Sequence, residues 1–255
     1  MRAPVRPNPT AVIALLLAAA AGVTACGGGE TGVSAQDTPG TPRQTSPTAG
    51  PTFDPEDFTT TIDNPYLPLE PGTRFTYRSA EGEGGTEAVV EVTDETTDIL
   101  GVTVRIVAET VSVDGVVVEE SRNWFAQDGE GNVWTFGADL NVVEDTEIAP
   151  TPGALAAGRD GAHPGIAMPA DPQPGTVYPT RDTALYAETV EVVSVDESVE
   201  VPHGSFRDVV VTEETDPLNP EAVHHRHYAE GLGLVLREQV EGGGDRLRLT
   251  AVDRP

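Results

Sequence analysis

Three stretches of this chain hold residue types and spacings capable of chemistry. Ala222-Val223-His224-His225-Arg226-His227-Tyr228 places three of the five histidines within four residues. On a strand, side chains alternate between faces, so His225 and His227 point the same way. Neutral imidazoles at that spacing grip zinc or copper once a third ligand joins, and His203 or Glu230 are the candidates for it. Exposed strand residues account for the same pattern without a metal, and no cofactor is expected. His203-Gly204-Ser205 with Asp208 supplies the residue types of a hydrolase triad. Two positions apart on one strand they cannot form one, because the serine needs an elbow and an oxyanion hole. No Gly-x-Ser-x-Gly, His-Glu-x-x-His, Walker loop or dinucleotide fingerprint occurs in the 255 residues, and the chain is expected not to be an enzyme.

The second stretch is Asn123-Trp124-Phe125-Ala126-Gln127-Asp128-Gly129-Glu130-Gly131-Asn132-Val133-Trp134-Thr135-Phe136-Gly137, which contains both tryptophans. Its centre is turn chemistry and its flanks are strands, so it reads as a hairpin. Trp124, Trp134 and Phe136 are then candidates for an aromatic ligand platform, with core and sheet packing as the plainer account. The acids of the turn suggest a calcium loop, but the closing glutamate is missing at the required spacing.

The third is the lone cysteine, Cys26. Arg2 and Arg6 precede the apolar run of residues 11–23, which as a helix would rise only about 20 Å, short of the ~30 Å hydrocarbon core. A basic start, a short apolar middle and small residues at the end are the regions of a secretory signal peptide. Val23-Thr24-Ala25-Cys26 resembles the lipobox of bacterial lipoproteins, in which the cysteine is acylated and becomes the new N-terminus. The resemblance implies a signal peptide over 1–25 and lipid attachment at Cys26. It places the mature chain on the extracytoplasmic face of the cell membrane, anchored and not crossing. Residues 27–52 contain six Gly, six Thr, four Pro and two Ser, too little apolar surface to offset the entropy of ordering. Residues 26–52 thus read as the lipidated cysteine and a disordered linker, with a reach of about 28 Å and an extended length near 90 Å.

The formal net charge is −27, from 15 basic and 42 acidic residues. Loss of Arg2 and Arg6 with the leader would leave 13 against 42, or −29. Nucleic-acid binding is excluded on that balance, as is adsorption on an anionic membrane surface, so the lipid anchor is the expected route to the membrane.

The elements that must position these groups are strands. Phe75 and Tyr77 alternate with Arg74, Thr76 and Arg78. Val102, Val104, Ile106 and Ala108 alternate with Thr103, Arg105 and Glu109. Leu247, Leu249 and Ala251 alternate with Arg246, Arg248 and Thr250. Asp114-Gly115 between two β-branched runs is a strong hairpin signal, and residues 241–245 separate the last two strands. Only 153–159 and 183–187 offer short helices, and the Pro- and Gly-rich residues 147–182 read as a long excursion over one end of the sheet. The expected fold is mainly β: one antiparallel domain over 53–255, half-barrel or sandwich, of about ten to twelve strands.

Residues 124–137 also resemble a motif of an uncharacterised group of secreted and lipid-anchored bacterial β proteins. The similarity continues through Asn64-Pro65-Tyr66-Leu67-Pro68-Leu69 and Pro71-Gly72, then Pro164 to Ala170. It resumes at Val201 to Phe206 and at Tyr228 to Val235. It implies a mostly β fold of unassigned activity, distantly similar to the half-barrels of LolA-like lipoprotein carriers, and it supplies no catalytic residue. After Tyr178 the chain departs, with Pro179-Thr180-Arg181-Asp182 in place of an acidic segment. The expected role is a non-enzymatic binding or structural domain, with an apolar ligand or an envelope protein as possible partner. The alternatives are a carrier of a lipid or other apolar ligand, and a metal-dependent enzyme using the histidines of 224–227.

Overall fold

The computed structural model describes residues 53–80, 85–144, 147–150, 155–159, 161–182, 187–216 and 219–255. The expected signal peptide, Cys26 and the expected linker lie outside the described residues, as do 153–154 and 183–186 of the two expected helices.

After a single 3-10 turn at Pro55–Asp57, the described residues form strands. The first five are β1 Arg74–Arg78, β2 Thr86–Ile99, β3 Val102–Val113, β4 Val116–Gln127 and β5 Val133–Glu144. Four short strands follow: β6 Glu147–Pro150, β7 Leu155–Ala156, β8 Gly165–Met168 and β9 Val177–Asp182. The last five are β10 Ala187–Val201, β11 Gly204–Asp216, β12 Asn219–Ala229, β13 Gly233–Glu241 and β14 Arg246–Asp253. All pairings are antiparallel, in the order β6-β5-β4-β3-β2-β1-β14-β13-β12-β11-β10-β9, with β7 and β8 added on β5. This is the mainly β, single antiparallel sheet expected, and it curls into a nearly closed barrel.

Residues 155–156 are a strand where a helix was expected, because they pair with Gly137 and Ala138 of β5. Residues 147–182 are not one excursion; they contribute β6 to β9, and β8 bridges the gap between the sheet's two ends by pairing with β5 and lying against β9. Gly165 permits that approach. A Cβ there would lie 2.4 Å from the Thr180 carbonyl oxygen and 2.6 Å from that of Pro179, so only glycine lets the two backbones come this close.

Turn residues set the register. Asp114 and Gly115 have φ of 51° and 79°, the left-handed pair of a two-residue hairpin whose twist matches its strands. The main core lines the barrel and includes Phe75, Tyr77, Val90, Val92, Val107, Phe125, Val133, Met168, Val235 and Leu249. Each such side chain, fully buried, stabilises by roughly 1.5–3 kcal/mol. A second cluster lies on the other face of β3, β4 and β5: Val102, Val104, Ile106, Trp124, Ala126 and Phe136, covered by Phe53 and Phe58 of the N-terminal segment. The alternation of β3 therefore buries both of its faces, one inside the barrel and one under that segment.

Candidate functional site

The barrel interior is not uniformly apolar. In β3 the face carrying Val107 and Val111 also carries Glu109, which is 2% exposed. Glu109 pairs with Ser121 and Val111 with Glu119 across β3 and β4, so Glu119, also 2% exposed, shares that face. From the far side β12 and β13 present Arg226 and Arg237, opposite each other in register and both buried. β11 brings Glu214, which pairs with His224. A partly open cavity of about 60 Å³ is lined by Glu188, Thr189, Glu214, His224, Arg226 and Tyr228, with Leu67, Phe125 and Ala167 on its apolar side. That space suits a few water molecules.

One ion pair anchors the charges of this chamber. Arg226 Nη2 donates to Glu214 Oε2 at 2.8 Å. Burial alone would lower the Arg226 pKa, but Glu214, Tyr228 and Glu109 outweigh it and raise it. For Arg237 burial wins, with Arg226 adding to it, and its pKa falls to about 10. Arg237 lies 3.4 Å from His224 Nδ1, which accepts from it as a neutral ring. Burial, then the two arginines, push His224 down to about 4. Burial raises Glu119 to about 7, against the pull of Arg237. Tyr77 donates to the Leu234 carbonyl at 3.0 Å, and burial holds its hydroxyl far above the ordinary phenol range.

Strand alternation splits the histidines. His224 faces the chamber, whereas His225 and His227 face outward on β12. His225 Nε2 lies 3.0 Å from Glu213 Oε2 of β11, and His227 Nε2 lies 3.2 Å from Glu238 Oε1 of β13. Arg246 donates to the other Glu238 oxygen at 2.9 Å. The group that could hold a metal among the described residues is His225, His227 and Glu238, with ligand atoms within 4.8 Å of one another. The third member is Glu238, not His203 or Glu230. His203 sits in the turn before β11, at the opposite end of that strand from Glu213, and its backbone N–H donates to Leu249 at 3.1 Å. Glu230 is exposed just after β12. Ser205 pairs with Glu200 and Asp208 occupies a left-handed position with φ 53°, so the hairpin explains this segment without a triad.

The aromatic hairpin is packed. Phe58 stacks edge-on against Trp134 at 5.9 Å and Phe136 at 5.6 Å, and Phe53 lies 6.1 Å from Phe136. The space beside Trp134 and Phe136 that a ligand would use is occupied by the chain's own phenylalanines, while Trp124 lies buried in the same cluster. Asp128 organises the turn: its carboxylate accepts from the Glu130 and Asn132 backbones, from Asn132 Nδ2 and from Trp134 Nε1 at 2.7 Å. Burial would raise its pKa, but these bonds together lower it.

Several segments quoted for the sequence resemblance meet at this end of the barrel. Asn64 accepts from Tyr66 and Leu67 N–H and donates to the carbonyls of Gly131 and Pro169. Gln127 Oε1 accepts from Asp63 and Asn64, and Asn132 Oδ1 accepts from Ala170 N–H. The result is a polar knot that holds Leu67 and Leu69 in the core. Sequence reading missed the buried acids and arginines altogether. Their only signal is the presence of charge within otherwise apolar strand patterns.

No protein-family model matches the chain, and no curated protein matches it. Two solved structures resemble its fold. One is a candidate exported protein with YmcC-like fold from Bacteroides fragilis, 15% identical, covering 75% of this chain and 100% of its own, with TM-score 0.45. The other is a candidate lipoprotein from Parabacteroides distasonis, 15% identical, covering 74% of this chain and 99% of its own, with TM-score 0.42. Likenesses of that size carry no assignment of activity or location.

Proposed function

We propose that this chain is a lipid-anchored, extracytoplasmic lipoprotein whose barrel is a non-enzymatic binding or structural domain. The observation that carries the reading is Val23-Thr24-Ala25-Cys26: the chain's single thiol, at the end of a short apolar run and ahead of a Gly-, Thr- and Pro-rich tether. Two acyl chains on the sulfur and a third on the new amino terminus exceed the two anchoring signals that stable attachment needs.

The interior favours this role over carriage of an apolar ligand. Ligand sites for drug-sized molecules run to roughly 300–1,000 Å³, whereas the chamber holds about 60 Å³ and is ringed by Arg226, Glu214, Glu188 and His224. A non-enzymatic reading fits the Arg226–Glu214 pair in the chamber and the packed aromatic hairpin. Cell fractionation of Cys26→Ala tests the anchor: the variant domain is expected in the soluble fraction, folded, and its retention at the membrane would overturn the proposal.

A further inference from the structure

Neighbouring strands bring four metal-competent groups onto one patch of the barrel's outer wall. Register sets His225 of β12 opposite Glu213 of β11 on one side and opposite Glu238 of β13 on the other, giving a carboxylate–imidazole–carboxylate row across three strands. His227 stands two residues along the same face and reaches Glu238 at 3.2 Å. The patch is partly shielded: the side chains of His225, His227, Glu213 and Glu238 are 26%, 10%, 38% and 21% exposed.

We propose that His225, His227 and Glu238 form a surface site for a divalent borderline cation such as zinc, with Glu213 within reach as a fourth ligand. Imidazole nitrogen and carboxylate oxygen are ligands that zinc takes at about 2.0–2.2 Å, which puts tetrahedral donors roughly 3.4 Å apart. The three donors already lie within 4.8 Å of one another, so side-chain torsions suffice to close the shell. Imidazole nitrogens and carboxylate oxygens are both ligands that zinc takes, and the chain's formal charge of −27 draws cations to its surface.

Two features bound the affinity. Arg246 holds one Glu238 oxygen at 2.9 Å, leaving the oxygen nearer His227 for the ion, and its positive charge beside the site opposes a cation. His227 Nδ1 is buried with no hydrogen-bond partner among the described residues, so the ring lacks the rear anchor that sharpens metal sites by about 10–100-fold. A dissociation constant on the order of micromolar is expected, not that of a structural zinc site. The site does not depend on the lipid anchor.

The test is titration of the mature chain with zinc chloride at pH 7.5, followed by calorimetry and by histidine side-chain NMR. One equivalent is expected to bind and to move His225 and His227 while leaving His163 and His203 in place. His225→Ala and Glu238→Gln should each weaken binding by about tenfold or more, with unchanged circular dichroism and melting in the absence of metal. Arg246→Ala should tighten it several-fold by removing a positive charge beside the ion. The inference is overturned if no binding is seen up to millimolar zinc, if the ion perturbs His163 or His203 instead, or if affinity survives His225→Ala. An Arg246→Ala variant that binds more weakly would equally exclude this geometry.

Discussion

Arg226 and Arg237 stand directly opposite each other on β12 and β13, both 4% exposed, with their side chains inside the barrel. Like charges on paired strand positions repel. They persist here because Glu214 binds Arg226 at 2.8 Å and the field of Glu109 favours both cations.

That arrangement makes truncation costly and joint replacement mild. Arg226→Met leaves Glu214 facing the chamber without its partner, and should destabilise by about 3–5 kcal/mol. The double variant Arg226→Met, Glu214→Leu should recover most of the loss, because apolar groups of similar volume carry no desolvation cost. Urea denaturation of the two single variants and the pair measures the coupling; additive losses would contradict it.

Glu119 and His224 predict opposing pH slopes. The folded pKa of Glu119, about 7, lies above its ordinary 4.5, so between those values the folded state binds the extra proton and stability falls as pH rises. The folded pKa of His224, about 4, lies below its ordinary 6.5, so in that window the unfolded state binds the extra proton and stability rises with pH. In the native protein the two partly cancel between about pH 4.5 and 6.5. Glu119→Gln should expose the rising slope and gain up to about 3 kcal/mol above pH 7. His224→Asn should expose the falling one. Denaturation midpoints at pH 4.5, 5.5, 6.5 and 8 read both slopes.

Asn64 serves four backbone groups with one buried amide. Asn64→Ala should cost roughly 3 kcal/mol, since carbonyls and N–H groups at the barrel end lose their partners together. Hydrogen exchange should accelerate first at Tyr66 and Leu67, whose N–H groups it binds.

Phe58→Ala uncovers Trp134 and Phe136. A red shift in tryptophan emission is expected, with a loss of about 1–2 kcal/mol, because Phe58 is only partly buried. An unshifted spectrum would mean that the N-terminal segment does not cover the hairpin.

Strands and hairpins were legible because their signals are local. Asp114-Gly115 announces its turn, whereas Leu100-Gly101 adopts the same left-handed pair, with φ of 53° and 83°, and leucine gives no such notice. The outward pairing of His225 with His227 follows from alternation alone. Its third member does not, because Glu238 reaches it through strand register. Alternation sets Glu109 on the β3 face opposite Val102, Val104 and Ile106, where the rule that polar residues point to solvent would expose it. That rule fails here because the face bearing Val102, Val104 and Ile106 is covered by Phe53 and Phe58, while the Glu109 face closes around arginines more than 110 residues away in sequence. A charge that must be met by a distant partner leaves no periodic trace.

The anchored-lipoprotein reading is tested most directly by the mass of the N-terminal peptide of the protein extracted from its native membrane. The account predicts a peptide beginning at Cys26 and carrying two or three acyl chains. A peptide beginning at a later residue, or at Cys26 with an unmodified thiol, would contradict it.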